Sequence, residues 1–432
     1  MLRQRMRARR RTVIVLCALA MMPGVFSAQA APVDAGAADV AQRSCAALAA
    51  RVDGIAGSGP LLLRSYDSAT GDGATDEPSQ KTAAYSYDNA LAAIALLACG
   101  KPQQALRIGA ALRLAALDGA RLRNAYRAGA VSGKPLANGW WDAQGNHWAE
   151  DPQQQGSATG NVAWAGLALL DLYAQTGERQ WLDATLRLAA WIVAQTADTR
   201  GAGGFSGGIE GDDAHSRKVA WKSTEHNVDA AALFDRLAVL DKDGGWSRHA
   251  AAARHFVQSE WDAASGHFFV GTQPDGVAQN RTTSGLDAQL WPLLLAQAPK
   301  AWQRALHYAE REHGVDGGFD FNADRDGLWL EGTAQAALAY SVAGDAGQAQ
   351  NLFATIARQF APSGYVYATR EPRITTGLAL SAQSASADFY YYRLPHLGAT
   401  AWAALAALGH NPFAAPRKPA AQPKSSRQPR DP

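Results

Sequence analysis

The sequence is poor in the residues and motifs that mark several common protein classes. It has three cysteines in 432 residues, and no Cys or His spacing that is typical of a zinc site. It has no GxSxG motif, which disfavours a serine hydrolase, and its glycine-rich stretches do not match nucleotide-binding loops. Beyond the N-terminus there is no apolar run long enough to span a bilayer. We therefore expect no cofactor and no integral membrane segment.

The first thirty residues have the pattern of an export signal. The basic stretch MLRQRMRARRR is followed by the apolar stretch TVIVLCALAMM and by a cleavage box, AQA, at residues 28–30. The adjacent arginines suggest twin-arginine export, but the residues after them favour general secretion. The sequence therefore predicts a signal peptide at residues 1–30 and a periplasmic or secreted product. An exported chain could join its two remaining cysteines, Cys45 and Cys99, in one disulfide, which their spacing does not prove.

The charge balance changes when the two ends are set aside. The whole chain has 41 Lys and Arg against 39 Asp and Glu. Residues 1–30 hold six Arg and no acid, and residues 414–432 hold five basic residues and one Asp, which leaves 30 basic and 38 acidic residues between them. Such an acidic body binds phosphate poorly, so we expect no nucleic-acid partner. The tail at residues 414–432 is rich in Pro and basic residues and is predicted to be disordered.

A polar turn followed by an apolar helix recurs six times. The segments are YSYDNALAAIALLA, ATGNVAWAGLALLDLYAQTG, STEHNVDAAALFDRLAVL, TSGLDAQLWPLLLAQ, LEGTAQAALAYSVAG and HLGATAWAALAALGHNPF. Each is apolar on nearly every side, which is typical of a buried helix. More amphipathic helices, such as QQALRIGAALRLAAL, alternate with them. The alternation predicts an all-α, single-domain (α/α)6 toroid over residues 84–413, preceded by an N-terminal helix and a connecting loop at residues 31–83.

Parallel inner helices would open their N-terminal ends on one face of the toroid. The loops before these helices hold six of the thirteen Trp residues, together with Asp, Glu, Asn and Arg. Flat apolar rings mixed with such polar groups suit the faces and hydroxyls of sugars, and a concave site of this kind is the expected ligand site. The residues expected on this face are Asp88, Asn161, Glu225, Asp287, Glu331 and His396.

The chain resembles the six-hairpin glycosidases, and the resemblance covers roughly residues 84–413. It is carried by the segments YSYDNALAAIAL, TGNVAWAGLALL, WKSTEHNVDAA and HLGATAWAALAALGHNPF. These (α/α)6 toroid enzymes include several families of glycoside hydrolase and some related epimerases and lyases. The resemblance therefore implies the toroid fold and an activity on carbohydrates.

Hydrolysis of a glycosidic bond needs one carboxylic acid that protonates the leaving oxygen and one carboxylate that acts across the bond. Glu225 is the predicted acid, since Ser223 or Thr224 can cap its helix and leave Glu225 in the first turn. Asp88 is the predicted partner in an inverting pair, and Glu331 is a third catalytic candidate at the same level. Each acid has a structural alternative as a first-turn residue that the helix dipole favours.

Other side chains at this face are predicted to bind the substrate. Asp287 lies three residues after Ser284, so a helix-capping role is its alternative. His226 and His396 open the third and sixth inner helices and should face each other, an arrangement that also suits sugar epimerases. The predicted substrate-binding residues are Tyr87, Trp141, Asn161, Trp221, His226, Asn227, Asp287, Trp329, Asp388, Arg393 and His396.

The loop GGFDFNADRDG, residues 317–327, carries acidic or amide side chains at alternate positions. An EF-hand register fails, because Thr333 would stand at the twelfth position, where a bidentate ligand is required. A calcium loop and a turn built from acidic residues are the two interpretations. The turn is favoured, so we expect no metal.

These observations predict an exported, monomeric glycoside hydrolase that acts on a bacterial poly- or oligosaccharide. One alternative is a carbohydrate-binding toroid without catalysis. The other is a lyase on uronic polysaccharides, in which a tyrosine of residues 390–392 and His396 act as base and acid while Arg393 neutralises the substrate carboxylate.

Overall fold

The computed structural model describes residues 35–67, 77–119, 121–379 and 389–415. The predicted signal peptide lies outside these ranges, as does nearly all of the predicted tail. The helices in the described ranges are α1 Ala35–Asp53, α2 Ser86–Ala98, α3 Pro102–Leu117, α4 Pro152–Gln155, α5 Thr159–Thr176, α6 Arg179–Thr196, α7 Thr224–Leu240, α8 Trp246–Ser259, α9 Leu286–Leu290, α10 Arg304–Glu312, α11 Leu330–Ala343, α12 Ala346–Ala357 and α13 Leu397–Ala407.

The helices form two concentric rings. The inner ring consists of α2, α5, α7, α9, α11 and α13, and the outer ring consists of α1, α3, α6, α8, α10 and α12. Neighbouring inner helices contact one another, and α13 contacts α2, which closes the inner ring. The predicted (α/α)6 toroid fold is therefore confirmed. Helix α1, which the sequence placed before the toroid, packs against α12 and α13 and completes the outer ring.

The inner helices are surrounded by protein on nearly every side, and their small side chains permit close packing. Ten of the eleven residues of α13, LGATAWAALAA, are buried, and Ala and Gly allow the neighbouring backbones to approach closely. The fourth inner helix is shorter than the sequence predicted. It ends as α9 at Leu290 and continues as a 3-10 turn, Trp291–Leu294, because Pro292 lacks the N–H that an α-helix requires.

In the described residues, short antiparallel ribbons lie in the loops between the helices. Six have two strands: Leu61–Leu62 with Gly129–Ala130, Ala83–Tyr85 with Ala125–Arg127, Trp140–Asp142 with His147–Ala149, Trp261–Asp262 with His267–Phe268, Gly314–Val315 with Gly318–Phe319, and Arg373–Thr375 with Tyr390–Tyr392. A seventh has three strands, Ser157–Ala158, Gly208–Glu210 and Arg217–Lys218. Several of these ribbons lead directly into inner helices, so they form the rim where the inner helices begin.

A disulfide and a buried ion pair are among the interactions that join helices of the toroid. A disulfide between Cys45 and Cys99 links α1 to the C-terminal end of α2. An ion pair between Asp171 and Arg236 links α5 to α7 within the core. Among the described residues, no helix combines the length and apolar character needed to cross a membrane.

Candidate active site

The first turns of the inner helices bring polar side chains to one end of the toroid. Asp88 lies in the first turn of α2, Glu225 in that of α7 and Glu331 in that of α11, while His396 caps α13. Gly398 makes room for three of them. A Cβ at Gly398 would lie 2.7 Å from Oε2 of Glu331, 2.9 Å from Oδ1 of Asp88 and 3.0 Å from Cε1 of His396.

His396 lies between two buried carboxyl groups. Its Nε2 is 3.5 Å from Oδ2 of Asp88, and its Nδ1 is 3.6 Å from Oε2 of Glu331. Burial opposes the charged imidazole, but the carboxylates of Asp88 and Glu331 stabilise it and the pKa of His396 is raised above its ordinary value. Burial raises the pKa of Glu331 to about 7, against the opposing effect of His396. The surroundings therefore favour the protonated forms of both His396 and Glu331.

An aromatic floor lies beneath this cluster. It consists of Tyr87, Trp164, Trp291 and Trp402, whose ring centroids are 5.4 to 6.4 Å apart in the contacting pairs. The Tyr87 hydroxyl donates a 2.7 Å hydrogen bond to Oε1 of Glu331 and accepts one of 2.8 Å from Nε1 of Trp402. The floor therefore fixes the orientation of Glu331.

Glu225 and Asp287 form a second carboxyl cluster, at the beginnings of α7 and α9. Glu225 keeps 32% of its side-chain surface exposed, whereas Asp287 is buried. The pKa of Glu225 is raised well above its ordinary value, because its carboxyl group is largely surrounded by protein and because Asp287 hydrogen-bonds and repels it. Burial also raises the pKa of Asp287. Two carboxyl groups in such contact retain a proton between them.

The Ser284 cap that the sequence suggested for Asp287 is not formed. Gly285 precedes α9, and no side chain caps that helix. The Ser284 hydroxyl instead contacts Nε2 of His313 at 2.7 Å. Ser223 does cap α7, as predicted, by accepting a hydrogen bond from the N–H of His226. Asp287 is therefore free of the capping role and faces Glu225.

His226 is held as a neutral imidazole beside Glu225. Burial lowers its pKa to about 4, and its Nε2 lies 3.5 Å from Oε1 of Glu225. Its ring lies 5.7 Å from that of Trp221, which is half-buried at the edge of the site. A neutral ring at this distance brings no positive charge to stabilise the Glu225 anion.

Two site residues, Asp229 and Tyr66, were missed by the sequence interpretation, and Tyr391 was considered only as one of three tyrosines that could act as the base of a lyase. Asp229 lies one turn after Glu225 on α7, is 1% exposed, and has an Oδ1 without a hydrogen-bond partner among the described residues. Burial and Asp287 raise its pKa. Tyr66 and Tyr391 contact the His396 ring at centroid distances of 4.6 and 6.1 Å. The sequence signal that could have identified Asp229 is an acidic residue within an apolar helix, four residues after Glu225. No local sequence pattern could have predicted the contacts of the two tyrosines with His396.

Two predicted substrate-binding residues have structural roles. Asn227 is fully buried, where its amide bonds the backbone N–H and C=O of Phe205 and the C=O of Ser223. Trp329 is 2% exposed and packs against Phe321 and Tyr391. Trp329, which the sequence placed among the substrate-binding residues, is therefore covered by the Tyr391 strand and packed into the core.

Three other predicted binding residues differ in burial and in their contacts. Asn161 is half-buried at the start of α5 and donates to Oδ1 of Asn124. Arg393 is exposed and lies over the Tyr367 ring at 4.1 Å. Trp141 is on an exposed ribbon before α5. Asp388 lies outside the described residues.

The comparisons with known proteins find similarity in structure. No protein-family model and no curated protein sequence matches the chain. A wild-type glycosidase is 14% identical and aligns over 87% of this chain and 99% of its own, with a TM-score of 0.55. A glycosidase variant in complex with glucose has the same identity and coverage and a TM-score of 0.57. The cellobiose 2-epimerase of Spirochaeta thermophila is 12% identical over 87% of this chain and 98% of its own, with a TM-score of 0.59.

The chain has the six-hairpin glycosidase-like fold. At identities this low the likeness is one of fold, so the reaction has to be argued from the site itself. In this six-hairpin toroid the carboxyl clusters lie where the inner helices begin.

The acidic loop of the toroid is a hydrogen-bonded turn. The nearest carboxylate oxygens of Asp320, Asp324 and Asp326 lie within 4.8 Å of one another. Asp320 accepts hydrogen bonds from the N–H groups of Phe321 and Asp326, and Thr375 donates to the other two aspartates. Burial raises the pKa of Asp320 to about 8. The carboxylates of this loop thus accept hydrogen bonds from its own backbone and from Thr375.

Proposed function

We propose that this protein is an exported glycoside hydrolase that cleaves a bacterial poly- or oligosaccharide by carboxylate acid–base chemistry. One observation carries the proposal: the same rim holds Glu225, a carboxyl group with a raised pKa, and Asp88, a separate carboxyl group in contact with an imidazole. Cleavage of a glycosidic bond needs such a pair. Solved glycosidases with the same fold support this choice of reaction.

Glu225 is the proposed proton donor. Burial raises its pKa, and Asp287 and Asp229 add to the rise, so the group keeps its proton near neutral pH. The N-terminus of α7 acts in the opposite direction, because it stabilises the anion. The exposed part of the side chain can reach the glycosidic oxygen of a bound sugar, to which Glu225 transfers its proton as the C–O bond breaks.

Asp88 is the proposed base. The charged form of His396 holds the Asp88 carboxylate, with Nε2 of His396 3.5 Å from Oδ2 of Asp88. Oδ1 of Asp88 is left directed toward Gly398 and Glu331. A water molecule would give its proton to Asp88 while its oxygen attacks the anomeric carbon, and Glu331 would border the same position. Such a reaction inverts the anomeric carbon, for which a carboxyl separation of about 6.5–9.5 Å is required.

Sugar epimerisation is the second candidate. It is favoured by a specific observation: His226 is neutral at neutral pH, whereas the pKa of His396 is raised. One imidazole that accepts a proton and one that donates it could remove and return a proton on opposite faces of a carbon. The fold is shared with cellobiose 2-epimerases. The two carboxyl clusters favour hydrolysis, because an epimerase has no leaving oxygen to protonate.

The lyase alternative is weaker. Burial and Glu331 raise the pKa of Tyr391, which opposes its use as a base. Arg393, the residue expected to neutralise a uronic carboxylate, is exposed over Tyr367. A toroid that only binds carbohydrate would not need buried carboxyl groups with raised pKa values, since these weaken folding.

Export is part of the proposal. The basic and apolar stretches at residues 1–30 have the pattern of a signal peptide. The disulfide between Cys45 and Cys99 suits an oxidising compartment. Fractionation of cells that express the full chain, with mass spectrometry of the N-terminus, tests this point: a cytoplasmic protein that keeps residues 1–30 contradicts it.

The reaction is tested by incubating the protein with mixed-linkage β-glucan, laminarin and xanthan in D2O. New reducing ends without 4,5-unsaturation indicate hydrolysis, and the anomer that NMR detects first gives the stereochemistry. Ultraviolet absorbance indicates a lyase, and deuterium on a sugar carbon without new reducing ends indicates an epimerase. Either outcome would contradict the proposal, as would binding without turnover.

Glu225→Gln is the matched variant for this assay. We expect a rate loss of about 10²–10⁴-fold, because only the transferable proton is removed. Glu210→Gln changes an acid on a strand near α7 that is paired with Arg217, and its rate should match the unmodified protein. Wild-type turnover in Glu225→Gln would exclude Glu225 as the donor.

A further inference from the structure

Two tryptophans face solvent side by side on one ribbon of the rim. The tryptophan hairpin, residues 140–149, pairs Trp140–Asp142 with His147–Ala149, and Trp141 stands directly opposite Trp148. Directly opposed residues lie on the same face of an antiparallel pair. Trp141 is 58% exposed and Trp148 is 46% exposed. Rings of this size are usually far more buried in a monomer, so their exposure calls for a ligand.

The tryptophan hairpin is fixed at the rim of the candidate active site. At its base the buried Asn138 donates hydrogen bonds of 2.7 Å to the C=O of Ser79 and to Oε1 of Gln154. At the same end, just after the second strand, Glu150 pairs with Arg123 at 2.7 Å. These contacts join the hairpin to the segments that lead into α2 and α5. The base of the hairpin is therefore bonded to the segments that precede α2, whose first turn carries Asp88, and α5.

The Trp148 ring is held in place before any ligand binds. The guanidinium group of Arg127 lies 5.1 Å from its ring centroid. The indole edge also lies against the Gly139 backbone, where a Cβ would come within 2.6 Å of Nε1 of Trp148. A side chain already ordered in this way loses little conformational entropy on binding. Such preorganisation suits a binding platform better than a ring that is exposed by chance.

We infer that Trp141 and Trp148 form an outer subsite that binds a neutral pyranose unit of the polysaccharide substrate. The bond to be cleaved lies at the carboxyl clusters, so this inference rests on the proposed function. The apolar face of a pyranose ring matches an indole, and aromatic platforms bind flat rings in the same way. Two rings are too small a patch for a protein partner, which needs roughly 800 Å². Charges of both signs lie near the hairpin, among them Arg127 and the paired Glu150 and Arg123, so they give no selection for a charged sugar. The substrate is therefore a chain of several sugar units that extends across the rim.

Oxidative footprinting tests the subsite without a measurement of turnover. Glu225→Gln protein is oxidised with N-bromosuccinimide, with and without mixed-linkage β-glucan, laminarin or xanthan, and tryptic peptides are analysed by mass spectrometry. We expect a polymer that binds to slow the oxidation of Trp141 and Trp148, while glucose does not. Trp191, half-buried on outer helix α6, is the internal reference and should react equally in all samples. Equal oxidation of the two hairpin tryptophans with and without a bound polymer overturns the inference.

Affinity measurements on variants give the matched controls. In the Glu225→Gln protein, Trp141→Ala and Trp148→Ala should each weaken polymer binding by about 5- to 150-fold, the range found for stacked rings, and Phe should restore most of it. Leu136→Ala removes an exposed apolar side chain near the hairpin and should leave affinity unchanged. Unchanged affinity in both Trp variants overturns the subsite alone. If none of the three polymers binds even the Glu225→Gln protein, the proposed function fails together with the subsite.

Discussion

Nε2 of His396 lies 3.5 Å from Oδ2 of Asp88 at the N-terminal end of α13. The other ring nitrogen, Nδ1, has two neighbours: it caps the helix by accepting the N–H of Ala399 at 3.2 Å, and it lies 3.6 Å from Oε2 of Glu331. The neutral ring can keep the cap and donate to Asp88. The protonated ring gives up the cap and pairs with both carboxyl groups, so the protonation of His396 is linked to the geometry of the helix end.

Asp229→Asn should move the alkaline limb of the pH–rate profile to lower pH. Asp229 repels the Glu225 anion and contributes to the raised pKa of that acid. Removal of the charge lowers this pKa, so the proton donor is lost at a lower pH. Asp235→Asn, at the other end of α7, is the control and should leave the limb in place. Because Asp229 is buried, KM should not change; a raised KM with an unshifted limb would contradict this role.

Glu331→Gln should stabilise the protein at pH 8. Burial raises the pKa of Glu331 to about 7 from an ordinary value of 4.5. The folded state therefore favours the protonated acid, and the stability that this proton provides is present below pH 4.5 and lost as the pH rises to 7. Glutamine mimics the protonated acid at every pH. We expect the free energy of unfolding to rise by about 1–3 kcal/mol at pH 8 and not to rise at pH 4. The gain at pH 8 is reduced because the variant also loses the ion pair with His396.

Urea unfolding curves at the two pH values measure this effect. Glu178→Gln, an exposed acid just before α6, is the control and should change the free energy of unfolding by less than about 0.5 kcal/mol. A gain that is the same at pH 4 and pH 8 would mean that protonation of Glu331 is not its source.

Gly398→Ala should both destabilise the protein and reduce turnover. The added Cβ would lie 2.7 Å from Oε2 of Glu331 and 2.9 Å from Oδ1 of Asp88. We expect a loss of about 1–3 kcal/mol, as in other overpacked sites. Gly347 occupies the same second position in α12 but is exposed, with its nearest neighbour 3.7 Å away. Gly347→Ala should therefore stabilise the protein by about 0.5–1 kcal/mol. Equal effects in the two variants would show that helix propensity, rather than the site, governs position 398.

Replacement of both Cys45 and Cys99 by Ser should lower thermal stability. The disulfide closes a loop with a sequence separation of 54 residues and ties α1 to the end of α2. Loss of such a loop closure costs about 2–4 kcal/mol, mainly because the unfolded chain gains freedom. Calorimetry of the variant and of the reduced protein measures the loss. A melting temperature equal to that of the oxidised protein would contradict a stabilising role.

Local sequence patterns determined the number, order and alternation of the helices. Six apolar segments, each preceded by a polar turn, form the inner helices. A helix that is buried on every side needs apolar residues around each of its turns, and such residues can be recognised within a single segment of sequence. The local pattern also predicted the Ser223 cap and the polar side chains at the helix starts. It failed at α9, where Pro292 ends the helix early, and at Ser284, which bonds His313 instead of the helix.

Only the tertiary structure decided which of these polar and aromatic residues form the site. Asn227 and Glu225 are two positions apart, yet the amide is used to bond the Phe205 backbone while the carboxyl group faces Asp287. Trp329 and Trp141 are equally apolar, yet one is covered by Tyr391 and the other is exposed. Burial and pKa depend on which distant segments fill the space around a side chain, and that information is absent from any local window of the sequence.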